Sequence, residues 1–228
     1  MTDIAKNLTE VRSRIASAAE DAGRDPAEVT LVAVSKVHPA QAIRDAYAAG
    51  QRHFGENYAQ ELRDKAAELA DLPDIRWHFI GHLQRNKAKY VAPNAALIET
   101  VDSARLVGEL SRQAERADRT FGCLVQVNVG GEEQKSGCEP SEAAEIIGAV
   151  ESAPRLELAG LMTIPPWDLE ADETRVWFKA LRELRNEHGG TERLPHLSMG
   201  MSHDFEEAID EGATIVRVGT AIFGARRR

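Results

Sequence analysis

Short apolar runs alternate along the chain with longer amphipathic stretches. The runs are rich in Val, Leu, Ile and Phe, which is typical of strands that are covered on both faces. They predict strands at residues 31–36, 53–56, 76–80, 96–101, 121–129, 156–163, 196–199 and 214–219. Apolar residues recur at helical spacing in the intervening stretches, which predict helices at residues 3–22, 39–49, 57–72, 84–91, 103–117, 141–152, 172–188 and 204–211.

Regular alternation of strand and helix indicates a parallel sheet, because each helix carries the chain back to start the next strand. Eight such strands follow one extra N-terminal helix. In a chain of 228 residues this pattern favours a closed (β/α)8 barrel, the TIM barrel, over an open sheet. No linker-like or low-complexity segment interrupts the pattern, so we expect one domain over residues 1–228.

The first predicted strand ends in a lysine, Lys36, and Pro39 follows at a position suited to a helix start. The carboxyl ends of parallel strands are where ligands and catalytic groups collect in α/β folds. A lysine leaving a buried strand either stays protonated beside an anion or loses its proton and becomes a nucleophile. The alternative is a lysine that only extends its amine into solvent.

A barrel would place the ends of all eight strands on one rim, where polar residues then converge. Such convergence around one mouth suggests a ligand site. The residues expected there are Lys36, Glu56, Asn57, Gly81, His82, Thr100, Asp102, Asn128, Met162, Thr163, Ser198, Met199, Gly200, Arg217, Gly219 and Thr220.

The loops after strands seven and eight are the habitual phosphate position of this fold. Gly200 allows close approach of the backbone to a ligand, and amide groups at the following helix start attract an anion. Gly219 and Thr220 form a second small pair at the end of strand eight. Tight turns alone would also explain one such glycine, but two at these positions favour phosphate.

Arg217 lies two residues before Gly219, so the two residues belong to the same face of strand eight. Val216 and Val218 belong to the other face. If Arg217 faces inward it is a buried cation that needs a partner, either a ligand ring nitrogen or a rim carboxylate. A lysine, a phosphate cradle and an arginine together suit a phosphorylated aldehyde held as a Schiff base. Pyridoxal 5′-phosphate (PLP) is the commonest such cofactor, and a sugar-phosphate aldolase would use the same lysine and cradle.

Charge and composition narrow the class of protein. The net charge is −9, from 28 basic and 37 acidic residues, which argues against a nucleic-acid partner. No apolar run is long enough to span a membrane, and the N-terminus lacks a signal-peptide pattern. Two cysteines, Cys123 and Cys138, form no disulfide framework. We therefore expect a cytoplasmic protein with no membrane partner.

Several segments, in order along nearly the whole chain, resemble the YggS/PROSC family of PLP homeostasis proteins. They are Val32-Ala33-Val34-Ser35-Lys36, Phe54-Gly55-Glu56-Asn57-Tyr58, His78-Phe79-Ile80-Gly81-His82-Leu83-Gln84-Arg85-Asn86-Lys87, Gly160-Leu161-Met162, Leu197-Ser198-Met199-Gly200-Met201-Ser202 and Arg217-Val218-Gly219-Thr220-Ala221-Ile222-Phe223-Gly224.

The resemblance implies a barrel like the N-terminal domain of alanine racemase, with Lys36 carrying PLP as an internal aldimine. It implies that Arg217 faces the pyridine nitrogen, which weakens the ring as an electron sink. It also implies that phosphate is held by Ser198, Gly200, Gly219 and Thr220, that Asn57, His82 and Met162 line the pocket, and that Met199 is among the cofactor-binding residues.

The family is described as binding PLP and balancing its level and delivery, with apo PLP enzymes as recipients and no firm catalytic reaction. The chain ends soon after strand eight, so we expect an open pocket without a second domain, a monomer, and a carrier rather than an enzyme. A racemase-like PLP enzyme is the alternative. Lys135 matches a further family segment and is either a secondary aldehyde acceptor or a solvated loop lysine.

Overall fold

The computed structural model describes residues 3–130, 136–166 and 169–224. Eight strands pair in sequence order and close on themselves into a parallel barrel. The strands are β1 (Thr30–Val34), β2 (His53–Glu56), β3 (Arg76–Phe79), β4 (Ala95–Val101), β5 (Phe121–Gln126), β6 (Leu156–Met162), β7 (His196–Ser198) and β8 (Ile215–Val218). The predicted (β/α)8 barrel is therefore confirmed.

Helices cover the outside of this barrel. Those within the described residues are α1 (Ile4–Asp21), α2 (Ala40–Ala48), α3 (Ala59–Glu68), α4 (Ala88–Val91), α5 (Ala104–Ala117), α6 (Ala143–Ser152), α7 (Ala171–Glu187), α8 (Gly190–Arg193), α9 (Phe205–Asp210) and α10 (Thr220–Phe223), with 3-10 turns at Pro26–Glu28, Arg85–Lys87 and Pro140–Glu142. None of these helices has the length and apolar composition that crossing a bilayer requires.

The extra N-terminal helix α1 forms as its apolar spacing predicts. Its N-cap is Asp3, whose carboxylate accepts a hydrogen bond from the Lys6 amide at 3.0 Å and so satisfies an otherwise unpaired helix-end donor. One face is buried, and α1 packs beside α2, α9 and α10. The buried residues on that face recur every three or four positions, at Ile4, Leu8, Val11, Ile15 and Ala19.

Alternation along the strands separates two packed layers. Residues facing outward form the large core between the sheet and the helices. Residues facing inward fill the barrel with a small apolar cluster of Val32, Leu124, Met162 and Ile215. Polar inward residues, Glu99 and Arg217 among them, are buried toward the carboxyl ends of the strands. The barrel is thus a packed core in which a small apolar cluster lies beside buried polar side chains, and its pocket opens at the carboxyl ends of the strands.

Candidate functional site

A pocket of about 180 Å³ opens at the carboxyl ends of the strands. It brings together five of the residues predicted from sequence: Lys36, Asn57, Arg217, Gly219 and Thr220. The rest of its lining is Val34, Ile80, Ile164, Met201, Ser202 and His203. A cation-bearing lysine, a buried arginine and a group of small polar residues therefore share one cavity.

Lys36 stands on a tight turn and not on the strand itself, because β1 ends at Val34. The His38 amide donates to the Ser35 carbonyl at 3.1 Å and closes the turn. Val37 has φ of 60°, a left-handed conformation that a β-branched residue adopts only when its surroundings hold it. The half-buried Lys36 side chain is thereby directed into the pocket.

A buried ion cluster of Glu56, Glu61 and Lys65 holds this turn from the outer side of the barrel. The Lys65 amine donates to the Ser35 carbonyl at 2.7 Å, to Glu56 at 2.7 Å and to Glu61 at 2.6 Å. Glu61 accepts a hydrogen bond from the strained Val37 amide at 2.7 Å. The cluster therefore binds the backbone on both sides of Lys36.

Glu56 is the most enclosed member of this cluster. Its side chain is fully buried, and Oε1 accepts from the Ser35 hydroxyl at 2.6 Å. Its Oε2 has no hydrogen-bond partner among the residues described. Burial raises the pKa of Glu56 to about 7, although Lys65 and Ser35 oppose the rise. The carboxyl group behind Lys36 therefore titrates close to neutral pH.

The loops after β7 and β8 meet on the other side of the pocket. The Gly219 amide donates to the Ser202 hydroxyl at 3.3 Å, and Thr220 is the first residue of α10. A Cβ at Gly219 would lie 3.3 Å from both Cβ and the carbonyl oxygen of Val34. Ser202, Gly219 and Thr220 form the polar wall of the pocket, as expected for a phosphate site in this fold.

Arg217 faces the barrel interior, so it is a buried cation that needs a polar partner. It is 4% exposed. Its Nη1 donates to the Ser198 hydroxyl at 2.5 Å and its Nη2 to the Thr163 carbonyl at 2.9 Å. These two contacts fix the guanidinium at the floor of the pocket, where it remains part of the lining.

Ten residues were predicted to bind the cofactor, and five of them lie outside the lining of the pocket. Ser198 is fully buried and its hydroxyl donates to Glu99 at 2.5 Å, so its side chain faces the interior and not the mouth. Met162 belongs to the apolar cluster inside the barrel, and Met199 belongs to the outer core. Both methionines are therefore packing residues.

Gly200 and His82 also lie outside the lining of this pocket. Gly200 has φ of 90°, and a Cβ there would lie 2.6 Å from the Cβ of Ala208 and 2.9 Å from the Cα of Phe205. The close approach that requires glycine at this position is to α9. The His82 side chain is 56% exposed, with Nδ1 3.6 Å from Asp102, and lies on the outer rim. Lys135 lies outside the described residues.

Sequence reasoning missed the second half of the loop after β7, where Ser202 and His203 reach the pocket. It also missed Glu99, which is fully buried inside the barrel. A carboxylate within the apolar run Ala96–Val101 was the available signal, since a buried charge needs partners. Those partners come from distant strands, so spacing along the chain could not identify them.

The pocket contains an unsatisfied polar atom suited to a bound group. Asn57 lines it, and its buried Oδ1 has no hydrogen-bond partner in the described part of the chain. This acceptor, the amine of Lys36 and the polar wall of Ser202, Gly219 and Thr220 together fit a ligand that offers a hydrogen-bond donor, a carbonyl carbon and an anion. Within the described ranges no three His, Cys, Asp or Glu side chains are grouped as metal ligands would be.

Comparison with known proteins agrees with this geometry. The sequence profile of the family described as "Alanine racemase, N-terminal domain" matches residues 6–227. A pyridoxal phosphate homeostasis protein from Pseudomonas aeruginosa is 49% identical over 99% of this chain and 97% of its own length. A protein of the same name from Escherichia coli is 45% identical over 99% of this chain and 98% of its own length.

Among solved structures, PipY of Synechococcus elongatus with PLP bound superposes with a TM-score of 0.82. It is 41% identical to this chain, and the match covers 97% of this chain and 100% of PipY. Fold, length and sequence therefore agree across the full barrel.

Proposed function

Since the chain belongs to the alanine racemase N-terminal domain family, and within it to the pyridoxal phosphate homeostasis proteins, we propose that it binds PLP in the pocket of Lys36 and Arg217. PLP offers an aldehyde, a phosphate and a ring nitrogen. The pocket offers a primary amine, a wall of small polar groups and a buried guanidinium. That one cavity combines all three is the observation that carries the proposal.

Each residue has a distinct task in this proposal. The Lys36 amine binds the aldehyde carbon covalently, with release of one water, and so retains the cofactor. Ser202, Gly219 and Thr220 hold the phosphate through a hydroxyl pair and the amides at the start of α10. Arg217 presents a cation toward the ring, and Asn57 supplies an acceptor. PLP would supply an electron sink, which a cationic neighbour of the ring weakens.

We infer that the protein holds and transfers PLP and does not use it to catalyse a reaction of its own. Relatives that are 49% and 45% identical to the chain carry the name of pyridoxal phosphate homeostasis proteins. Thr220 and His203, on the edge of the pocket, are exposed, so a bound cofactor can be reached from solvent. Delivery to an apo PLP enzyme requires such access, whereas a PLP enzyme gains from excluding water.

Visible absorption of the protein mixed with PLP tests the binding site. The wild type should turn yellow, and borohydride should bleach the colour and leave one reduced cofactor attached at Lys36. Lys36→Ala should remain colourless after removal of free PLP. Lys179→Ala is the matched control, because Lys179 is an exposed lysine on α7. Colour retained by Lys36→Ala would refute the assignment of the amine.

Transfer tests the role. Wild-type protein loaded with PLP should transfer the cofactor to an apo PLP enzyme, measured as restored activity, faster than the protein releases PLP into a trap. A rate equal to spontaneous release would leave binding intact but refute delivery.

A racemase-like activity is the second candidate, favoured by the family profile of alanine racemase. Racemisation assays on several amino acids, with Lys36→Ala as the blank, separate it from a carrier. Turnover well above that blank would replace the carrier role with a catalytic one. A sugar-phosphate aldolase without PLP would be recognised by cleavage activity in a colourless protein.

A further inference from the structure

A continuous hydrogen-bonded chain crosses the interior of the barrel and ends at the pocket arginine. His53 Nδ1 and His78 Nε2 are 2.9 Å apart, and His78 Nδ1 is 2.6 Å from Glu99. On the other side, Ser198 links Glu99 to Arg217 through two contacts of 2.5 Å. The chain joins β2, β3, β4, β7 and β8, and Glu99 lies at its centre.

The direction of these hydrogen bonds follows from the groups involved. An ionised carboxylate only accepts, so His78 Nδ1 carries the proton that it shares with Glu99. Burial lowers the pKa of His53 to about 4, and a neutral His53 then donates from Nδ1 to His78 Nε2. Ser198 accepts from Arg217 and donates to Glu99. Every donor therefore points toward the Glu99 carboxylate from both sides.

Charge balance gives the same residue a central place. Arg217 is a buried cation whose Nη1 lies 3.9 Å from Glu99 Oε2. Burial lowers the pKa of Arg217, and the charges of Glu99 and Asp204 oppose that change. Burial alone would raise the pKa of Glu99, yet the hydrogen bond from His78 and the charge of Arg217 outweigh it and leave that pKa below its ordinary value. The two opposite charges therefore offset part of the cost of burying each other.

We propose that Glu99 is a positioning residue for the cofactor pocket: through Ser198 it holds Arg217 in place. The inference rests on the proposed PLP function and extends it to a residue that touches neither the pocket nor the cofactor. Arg217 would keep its role only while the carboxylate behind it is present, because a buried guanidinium without a counter-charge turns toward other acceptors or draws in water.

Glu99→Gln is the sharpest variant, since it removes the charge and preserves the shape. We expect it to bind PLP at least tenfold more weakly than the wild type in an absorbance titration, with the absorption maximum of bound PLP displaced. Ser198→Ala keeps both charges and removes the bridge, and should give a smaller loss of affinity. Glu109→Gln, at an ion pair with Arg112 on α5, is the matched control and should behave as wild type.

A second readout needs no cofactor. In the cofactor-free wild type, NMR should show slowly exchanging Nη protons of Arg217, because both ends of the guanidinium are held. Glu99→Gln should lose those signals, while a thermal melt reports whether the barrel is folded. If Glu99→Gln does not fold, Ser198→Ala carries the test through the same two measurements.

The outcomes separate this inference from the function on which it rests. Folded Glu99→Gln and Ser198→Ala proteins with wild-type PLP affinity, an unchanged spectrum and unchanged Arg217 signals would overturn the inference and leave PLP binding intact. A wild type that fails to bind PLP would overturn both. Reduced affinity with lost Arg217 signals, in the absence of any change in Glu109→Gln, would support the positioning role.

Discussion

Replacing Glu56 by glutamine should change how the stability of the barrel depends on pH. Glu56 lies behind the turn of Lys36, fully buried, with one oxygen satisfied by Lys65 and Ser35 and the other without a partner. Glutamine keeps an acceptor in the place of Oε1 and a donor in the place of a protonated oxygen. It therefore mimics the neutral acid and cannot ionise.

The magnitude follows from the pKa of the group. Burial raises the pKa of Glu56 from 4.5 to about 7, and each unit corresponds to about 1.4 kcal/mol. Between these values the folded state holds a proton that the unfolded state has released, so the contribution of Glu56 to stability falls as pH rises. It is fully present below pH 4.5 and lost by about pH 7, a difference of about 3 kcal/mol.

Urea denaturation of cofactor-free wild type and Glu56→Gln across pH 4 to 8 measures this effect. The free energy of unfolding of the wild type, relative to the variant, should decline by about 3 kcal/mol between pH 4.5 and 7. Other titrating groups cancel in the difference because both proteins carry them. Glu145→Gln, at an exposed carboxylate in the first turn of α6, should run parallel to the wild type.

A difference that stays flat from pH 4.5 to 7 would show that the ion pair with Lys65 offsets the effect of burial on the pKa of Glu56. A difference that increases with pH would mean that Glu56 is held ionised, with a pKa below 4.5. Either result would refute the reasoning, because burial would then not be the larger of the two effects on the pKa of Glu56.

Two substitutions and one thiol-labelling experiment test the packing of the barrel. Gly160→Ala should lower the free energy of unfolding by about 4 kcal/mol, because the added Cβ would lie 1.9 Å from the His196 carbonyl oxygen. Gly148→Ala has open space around it and should leave the free energy of unfolding unchanged. Equal urea midpoints for the two variants would contradict this. Met162→Ala should lose about 2–5 kcal/mol in the same assay and leave PLP affinity near wild type, whereas a large loss of affinity would return Met162 to the site. Since burial raises the pKa of Cys123 and Cys138 to about 12, neither thiol should react with Ellman's reagent before urea unfolds the protein, and prompt reaction of a folded thiol would contradict that burial.

The strands were the most predictable part of this fold. Each is covered on both faces, so an apolar run marks it directly, and β2 has the bounds that its sequence predicts. The predicted end at Lys36 was wrong because Val37 turns the chain in the left-handed region, a conformation that no residue pattern announces. The four-residue helices α8 and α10 were missed, since one turn is too short to show helical spacing.

The site was predictable where function depends on the position of a strand end, and not where it depends on which face a side chain takes. Lys36, Asn57 and Arg217 reach the pocket because β1, β2 and β8 end there. Ser198 is also at a strand end, but it shares the inward face with His196, so it meets Glu99 inside the barrel. Only the closed sheet decides that Ser202, four residues on, is the hydroxyl that lines the pocket.

The two cations of the pocket are held by carboxylates in different layers of the molecule, and this separates their effects. Glu56 lies between the barrel wall and α3, and through Lys65 it is linked to the backbone of the turn that carries Lys36. Glu99 lies inside the barrel and reaches Arg217 through Ser198. Their hydrogen-bonding partners do not overlap within the described residues. Loss of one carboxylate should therefore leave the other cation in place, so the proposed covalent capture by Lys36 and the proposed ring contact of Arg217 should be weakened independently.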